Sequence, residues 1–289
     1  MHLIFPLISS ILYVIAAMFM KQAAEQRVGI WRSAFVCNWI TAILFLLLLP
    51  LGGQLPEGHW HEPFIVALLF FAGQLLTFVA LDKGDVSVAT PVLGAKVILV
   101  AGFTLLLTEE AVRWQLWLAA LFTCVGIALL NKKGDHHRAE HLGRTIIIAL
   151  FAAAAYASFD VFVMKWAPAW GAGRFLPIMV GINAIYSCAF IPFFREPLSA
   201  IKGPAMKPVV LGGFFLGLQA VVLVSTLARF GDATAVNVIY STRGLWSVLA
   251  VLFLGHWFAN TEKSAGPAVM KARLAGAASL CAAVVLVFI

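Results

Sequence analysis

The chain has 289 residues, of which 62% are apolar and only 11% charged, and its formal charge is +7. Globular domains are usually about 45–50% apolar and about 25% charged. So few charges cannot solvate a globular surface, which excludes a soluble enzyme, a disordered chain and a nucleic-acid binder of ordinary composition.

A membrane-spanning helix needs about 20 mostly apolar residues. Apolar runs fall at 3–20, 32–50, 63–81, 86–107, 113–130, 144–165, 174–194, 208–228, 233–255 and 272–289. Ten spans leave room for loops but not for a soluble domain. The opening run lacks a basic leader region and a small-residue cleavage site, so it reads as the first span rather than a signal peptide. Turn chemistry separates the runs at Gly52-Gly53-Gln54-Leu55-Pro56, Asp82-Lys83-Gly84-Asp85, Glu196-Pro197 and Arg229-Phe230-Gly231-Asp232. Spanning β-strands are excluded, because the runs are twice a barrel strand's length and do not alternate polar with apolar. Cys37, Cys124, Cys188 and Cys281 all lie inside apolar runs. They read as buried small hydrophobes, with no disulfide expected.

The second half repeats the first. Phe19-Met20-Lys21 closes the first span and Val163-Met164-Lys165 the sixth, and Asn38 has a counterpart in Asn183. The strongest match pairs Gly84-Asp85-Val86-Ser87-Val88-Ala89 with Gly231-Asp232-Ala233-Thr234-Ala235-Val236, an offset of 147 that also carries Lys96 onto Arg243. The division read here is a first repeat over 1–131, a basic link over 132–143 and a second repeat over 144–289. Five spans per half invert the second repeat in the membrane, the layout of many secondary transporters.

These motif-bearing segments, Ala80-Leu81 through Glu109-Glu110 and Leu227 through His256, resemble the drug/metabolite transporter superfamily in its ten-span form of two EamA-type repeats. The resemblance implies an all-α integral membrane protein, with spans 1–4 and 6–9 around a central cavity and spans 5 and 10 peripheral. It also implies transport by alternating access. Members move amino acids, other metabolites, drugs, phosphate esters or nucleotide sugars, so the likeness does not name a substrate.

Lys96 and Arg243 lie midway along spans 4 and 9. One charge at the bilayer centre costs ~2.5–3.5 kcal/mol, and two roughly 5–7 kcal/mol. Both must therefore face water, an anionic ligand or a protein carboxylate. Asp160 is the one carboxylate well inside a predicted span. It can neutralise Arg243 or Lys96 in a structural ion pair, which still leaves one positive charge in excess. In the functional alternative, the two cations clamp a carboxylate or phosphate of the substrate, Arg as a fork and Lys as a point charge. Phosphate-ester exchangers of the superfamily carry basic residues at the positions of Lys96 and Arg243. Asp160 can also carry a coupling proton.

Tyr240, Asn237 and Tyr156 complete the candidate substrate contacts, each set against the alternative of a helix–helix hydrogen bond. Tyr240 and Ser247 should share the face of Arg243. Ser9, Ser10, Tyr13, Gln74, Ser158, Gln219, Ser241 and Thr242 are the other polar groups, and Asn38 and Asn183 read as packing bonds. Gly213-x-x-x-Gly217 and Ala149-x-x-x-Ala153-x-x-x-Ala157 are small-residue faces for bundle packing or a homodimer. Gly94, Gly102 and Gly244 let spans 4 and 9 bend. The link Asp135-His136-His137-Arg138-Ala139-Glu140-His141 reads as a solvated basic loop, as do His59 and His61. No metal and no cofactor are expected.

Fourteen Lys and Arg fall in the odd-numbered links and four in the even-numbered ones. The positive-inside rule then places both termini outside a plasma (inner) membrane, opposite to the orientation assigned to many superfamily members. No Ser/His pair, metalloprotease helix or phosphate-binding glycine loop is present, so the chain does not read as an enzyme. Three functions remain. One is a secondary transporter of a small anionic or zwitterionic metabolite bound at the midplane between the repeats, coupled to protons or a counter-substrate, as a monomer or homodimer. The second is an exporter of neutral or cationic amphiphiles, including drugs, with Asp160 as proton or substrate site. The third is a non-transporting membrane subunit or receptor.

Overall fold

The computed structural model describes residues 2–83, 86–108, 111–130, 142–254 and 267–289. The Gly84-Asp85 turn, Glu109-Glu110, the link 131–141 with its histidines, His256 and Lys263 lie outside the described residues. Among those described there are twelve α-helices and no strand. They are α1 (Ile4–Glu25), α2 (Ile30–Phe45), α3 (His61–Lys83), α4 (Val86–Leu93), α5 (Lys96–Thr108) and α6 (Trp114–Leu130). The remainder are α7 (Leu142–Trp170), α8 (Ala172–Tyr186), α9 (Met206–Phe230), α10 (Ala233–Tyr240), α11 (Arg243–Leu254) and α12 (Pro267–Phe288).

Eight helical segments among the described residues are long and apolar enough to cross a membrane, with Trp114–Leu130 a shorter apolar helix beside them. The expected spans 4 and 9 are each broken: α4 gives way to α5 at Gly94-Ala95, and α10 to α11 at Ser241-Thr242. Spans 2 and 7 end in 3-10 turns, Leu46–Leu51 and Ser187–Phe193, each containing a proline. Proline supplies no N–H for the α-helical ladder, and the tighter turn absorbs the loss. Large side chains such as Leu47, Leu106 and Phe151 are well exposed. Apolar surface of that extent suits lipid rather than water.

The chain forms two compact units, each assembled from both sequence halves. One comprises Met1–Phe71 and Phe162–Gly231. Here α9 packs along α1 and α2, and the predicted small-residue face meets α2. A Cβ on Gly213 would lie 2.8 Å from the Ile40 side chain, and one on Gly217 2.6 Å from that of Leu44. Backbone approach this close is what small residues supply in place of a hydrophobic driving force. The same helices are tied by Ser9, whose hydroxyl donates to the backbone and side-chain carbonyls of Gln219 at 2.9 and 3.0 Å. Ser9 and Gln219 thus take the helix–helix role. Arg32, buried at the start of α2, donates to the carbonyls of Val28 and Pro197 and pairs with Glu196 at 3.2 Å.

The other unit comprises Ala72–Val161 and Asp232–Ile289. Its framework is α6 against α12. A Cβ on Gly276 would lie 2.8 Å from the carbonyl oxygen of Gly126, and one on Gly126 3.0 Å from that of Gly276. Ser279 donates to the Phe122 carbonyl at 2.7 Å in the same crossing. This unit contains both broken helices. Ala149, Ala153 and Ala157 are fully buried along α7, which supports bundle packing as the use of that small-residue face.

Candidate functional site

The two helix breaks carry the same bonding. Gly94 N–H donates to the carbonyls of Thr90 and Pro91, Ala95 N–H to Val92, Val97 N–H to Gly94 and Leu99 N–H to Ala95. Add 147 to each number and the second break follows. Ser241 N–H donates to Asn237 and Val238, Thr242 N–H to Ile239, Gly244 N–H to Ser241 and Trp246 N–H to Thr242. Both are one 3-10 step inside an α-helical course, a feature that often marks a hinge. The first has local causes in Pro91 and Gly94. The second has neither residue. There Ser241 Oγ donates to the Asn237 carbonyl at 2.8 Å and Thr242 Oγ1 to the Ile239 carbonyl at 2.7 Å. Short hydroxyl side chains thereby compete with the ladder. Lys96 and Arg243 are the residues that restart the helix after each break.

Lys96, Asp160, Asn237 and Tyr156 come together. The Lys96 ammonium stands 2.7 Å from Asp160 Oδ2, with the Asp160 side chain 2% exposed and that of Lys96 19%. Asn237 Nδ2 donates to the same oxygen at 2.7 Å and to the Ala233 carbonyl at 2.9 Å. The amide therefore fixes the carboxylate to the first turn of α10. That turn is itself capped by Asp232, in a left-handed conformation at φ 51°, which accepts from Ala235 N–H. Tyr156 lies one turn before Asp160 on α7, and its ring centroid is 5.8 Å from the Lys96 nitrogen. Of the two structural pairings open in the sequence, Asp160 thus takes Lys96 rather than Arg243.

Arg243 sits with Tyr240. Its guanidinium carbon is 4.5 Å from the ring centroid, a close cation–π contact. The predicted shared face therefore includes Tyr240. Ser247 instead returns its hydroxyl to the Arg243 carbonyl at 2.8 Å, serving the backbone. The Lys96 group thus includes a carboxylate, whereas the contact of the Arg243 guanidinium is the Tyr240 ring.

Sequence reasoning missed Gly73. A Cβ there would lie 2.9 Å from two ring atoms of Tyr156 and 3.0 Å from a third. An unremarkable glycine inside an apolar run gave no signal. Outside this unit, Glu62 is buried and accepts from the Trp170 indole at 2.7 Å and from His59 at 2.9 Å. His59 is exposed, as expected of a solvated loop, and reaches Glu62 from the surface. Asn38 and Asn183 are buried, and the Asn183 side-chain oxygen makes no hydrogen bond.

Comparison with known proteins bears on the chain as a whole. Residues 1–132 match the model of the EamA-like transporter family. No curated protein matches the sequence. A solved crystal structure, described only as that of a protein, is 16% identical, with a TM-score of 0.73 over 98% of this chain and 97% of its own. That likeness shows the fold.

Proposed function

We propose that the chain, whose first 132 residues match the EamA-like transporter family, is a membrane transporter of that kind, moving a small anionic or zwitterionic metabolite by secondary transport. The ten crossings are the eight long segments, the 17-residue helix Trp114–Leu130 and the broken course of α10 and α11. Seventeen residues rise about 26 Å, at the short end of what spans a bilayer. The two five-span repeats have opposite sense, and the substrate binds at the midplane.

The observation that carries the reading is the pair of matching helix breaks that set Lys96 and Arg243 at equivalent positions of the two broken helices. A cation at that depth costs ~2.5–3.5 kcal/mol, and a substrate anion at Arg243 lowers that cost. The guanidinium fork suits a carboxylate or phosphate. Tyr240, stacked on the guanidinium, fixes the direction of the fork. Lys96, Asp160, Asn237 and Tyr156 form the neutral wall beside it. The matched 3-10 steps immediately before Lys96 and Arg243 are where spans 4 and 9 bend as access alternates. Both termini lie outside the plasma (inner) membrane, following the charge count.

The test is uptake into proteoliposomes of a radiolabelled pool of amino acids, monocarboxylates and phosphate esters. Arg243→Gln should abolish uptake while leaving insertion and folding intact. Loss of transport in Asp160→Asn with Arg243→Gln tolerated would shift the reading to an exporter of neutral or cationic amphiphiles. A wild type that moves no pool member would favour a non-transporting subunit.

A further inference from the structure

The ring that Lys96 approaches is held in place by a glycine on another helix. Gly73 is buried in the interior of α3. Glycine in a helix interior is a destabilising choice, so a residue there invites a packing reason. The three heavy atoms nearest to an added Cβ all belong to the Tyr156 ring, two at 2.9 Å and one at 3.0 Å. The third is Cγ, the root of the ring. A clash at the root cannot be relieved by swinging the hydroxyl end. It requires the whole ring to move, through a changed side-chain rotamer or a shift of α7 against α3. The ring has little distance to spare. Its centroid is 5.8 Å from the Lys96 nitrogen, against a useful cation–π range of about 6 Å. Tyr156 and Asp160 also share one face of α7, one turn apart. A displacement at Tyr156 therefore reaches the side chain that pairs with Lys96.

We propose that Gly73 is a positioning residue for the candidate site: its missing side chain sets the place of the Tyr156 ring, and through it the surroundings of the Lys96–Asp160 pair. Its importance for transport rests on the function proposed above; its effect on the ring does not.

The test needs no substrate. The chain has four tyrosines, so protein labelled with fluorotyrosine gives few fluorine resonances, and Tyr156→Phe assigns the one from Tyr156. In otherwise unaltered protein this resonance should shift on Lys96→Gln. In Gly73→Ala it should stand at a new position and lose most of that response. A resonance that keeps both its position and its response in Gly73→Ala overturns the proposal. Thermal unfolding of Gly73→Ala combined with Tyr156→Ala decides the case in which Gly73→Ala alone does not fold. With the ring and its root gone, the methyl has room, and the double variant should melt where Tyr156→Ala does. A double variant that melts well below Tyr156→Ala, or fails to fold, shows that the methyl meets something else and overturns the proposal. Neither arm measures transport, so a failed uptake assay and a failed positioning test remain distinguishable.

Discussion

The Lys96–Asp160 pair makes a quantitative prediction, because its two members are buried unequally. At 2.7 Å and an effective dielectric of 20, the attraction is about 6 kcal/mol. Desolvation of two ions offsets much of it, so the intact pair is close to neutral for stability. Removing one member exposes the desolvation cost of the other. Lys96→Gln leaves the Asp160 carboxylate 2% exposed with, among the described residues, the Asn237 amide to oppose its charge, and should cost about 3–5 kcal/mol. Asp160→Asn leaves an ammonium on a flexible stem that is 19% exposed and can turn toward water, so its cost should be about 1–3 kcal/mol. The double variant carries neither charge and should fall within about 1 kcal/mol of wild type. Thermal unfolding in detergent, followed by the fluorescence of the nine tryptophans, reads all three. At roughly 2–4 °C per kcal/mol, Lys96→Gln should melt about 6–20 °C low and the double variant near wild type. Single effects that simply add in the double would show that the charges do not feel each other, and the neutral wall of the site would be lost with them.

Three further outcomes follow from single contacts. Asp232→Ala removes the cap of α10 and keeps a Cβ at φ 51°, so unfolding should show a loss of about 0.5–2 kcal/mol. Asp232→Gly should lose under about 1 kcal/mol. Gly276→Ala sets a methyl 2.8 Å from the Gly126 carbonyl oxygen and should cost about 1–3 kcal/mol through a forced shift of α12 on α6, read as a lower melting temperature. Tyr240→Leu removes the ring from Arg243, 4.5 Å away. Its uptake should need a roughly two- to thirtyfold higher concentration of the labelled anion for half saturation, with expression unchanged. Unaltered half saturation would detach Tyr240 from the anion site.

Much of the fold is legible in hydropathy, because a helix that must satisfy its own backbone in lipid leaves a long unbroken apolar run. The first span, read at 3–20, is α1 at Ile4–Glu25, and the eighth, read at 208–228, is α9 at Met206–Phe230. Hydropathy says nothing about the path inside a run. The helix α7 continues through Pro168 to Trp170, beyond the 165 expected. The α10–α11 break has no glycine or proline within it, so residue chemistry alone passes over it. The usable signal was the offset of 147: Pro91 and Gly94 mark a break in the first repeat, and the duplication carries it to Ser241-Thr242. Gly94 and Gly244 were expected to let these spans bend; Gly94 lies at its break, and Gly244 is the second residue of α11, just past the other. Gly102 lies within unbroken α5, with one tryptophan atom 3.9 Å from an added Cβ.

The site shows why duplication could find the cations and not their partners. Offset matching puts Lys96 and Arg243 after equivalent turns, and the hydrogen bonds of the two turns correspond residue for residue. Asp160 has no such counterpart; at the same offset the first repeat holds Tyr13. One carboxylate facing two like cations is undecidable from spacing alone. The choice is made by side chains that the duplication did not copy. Asn237, on the second broken helix, binds Asp160 Oδ2 and turns that oxygen toward Lys96, on the first. Thr90 stands at the matching position of the first repeat, and a threonine is too short to repeat that amide's reach from one helix to the next. The two breaks thus share their backbone bonding while the side chains around them differ: Lys96 meets a carboxylate, and Arg243 meets the Tyr240 ring.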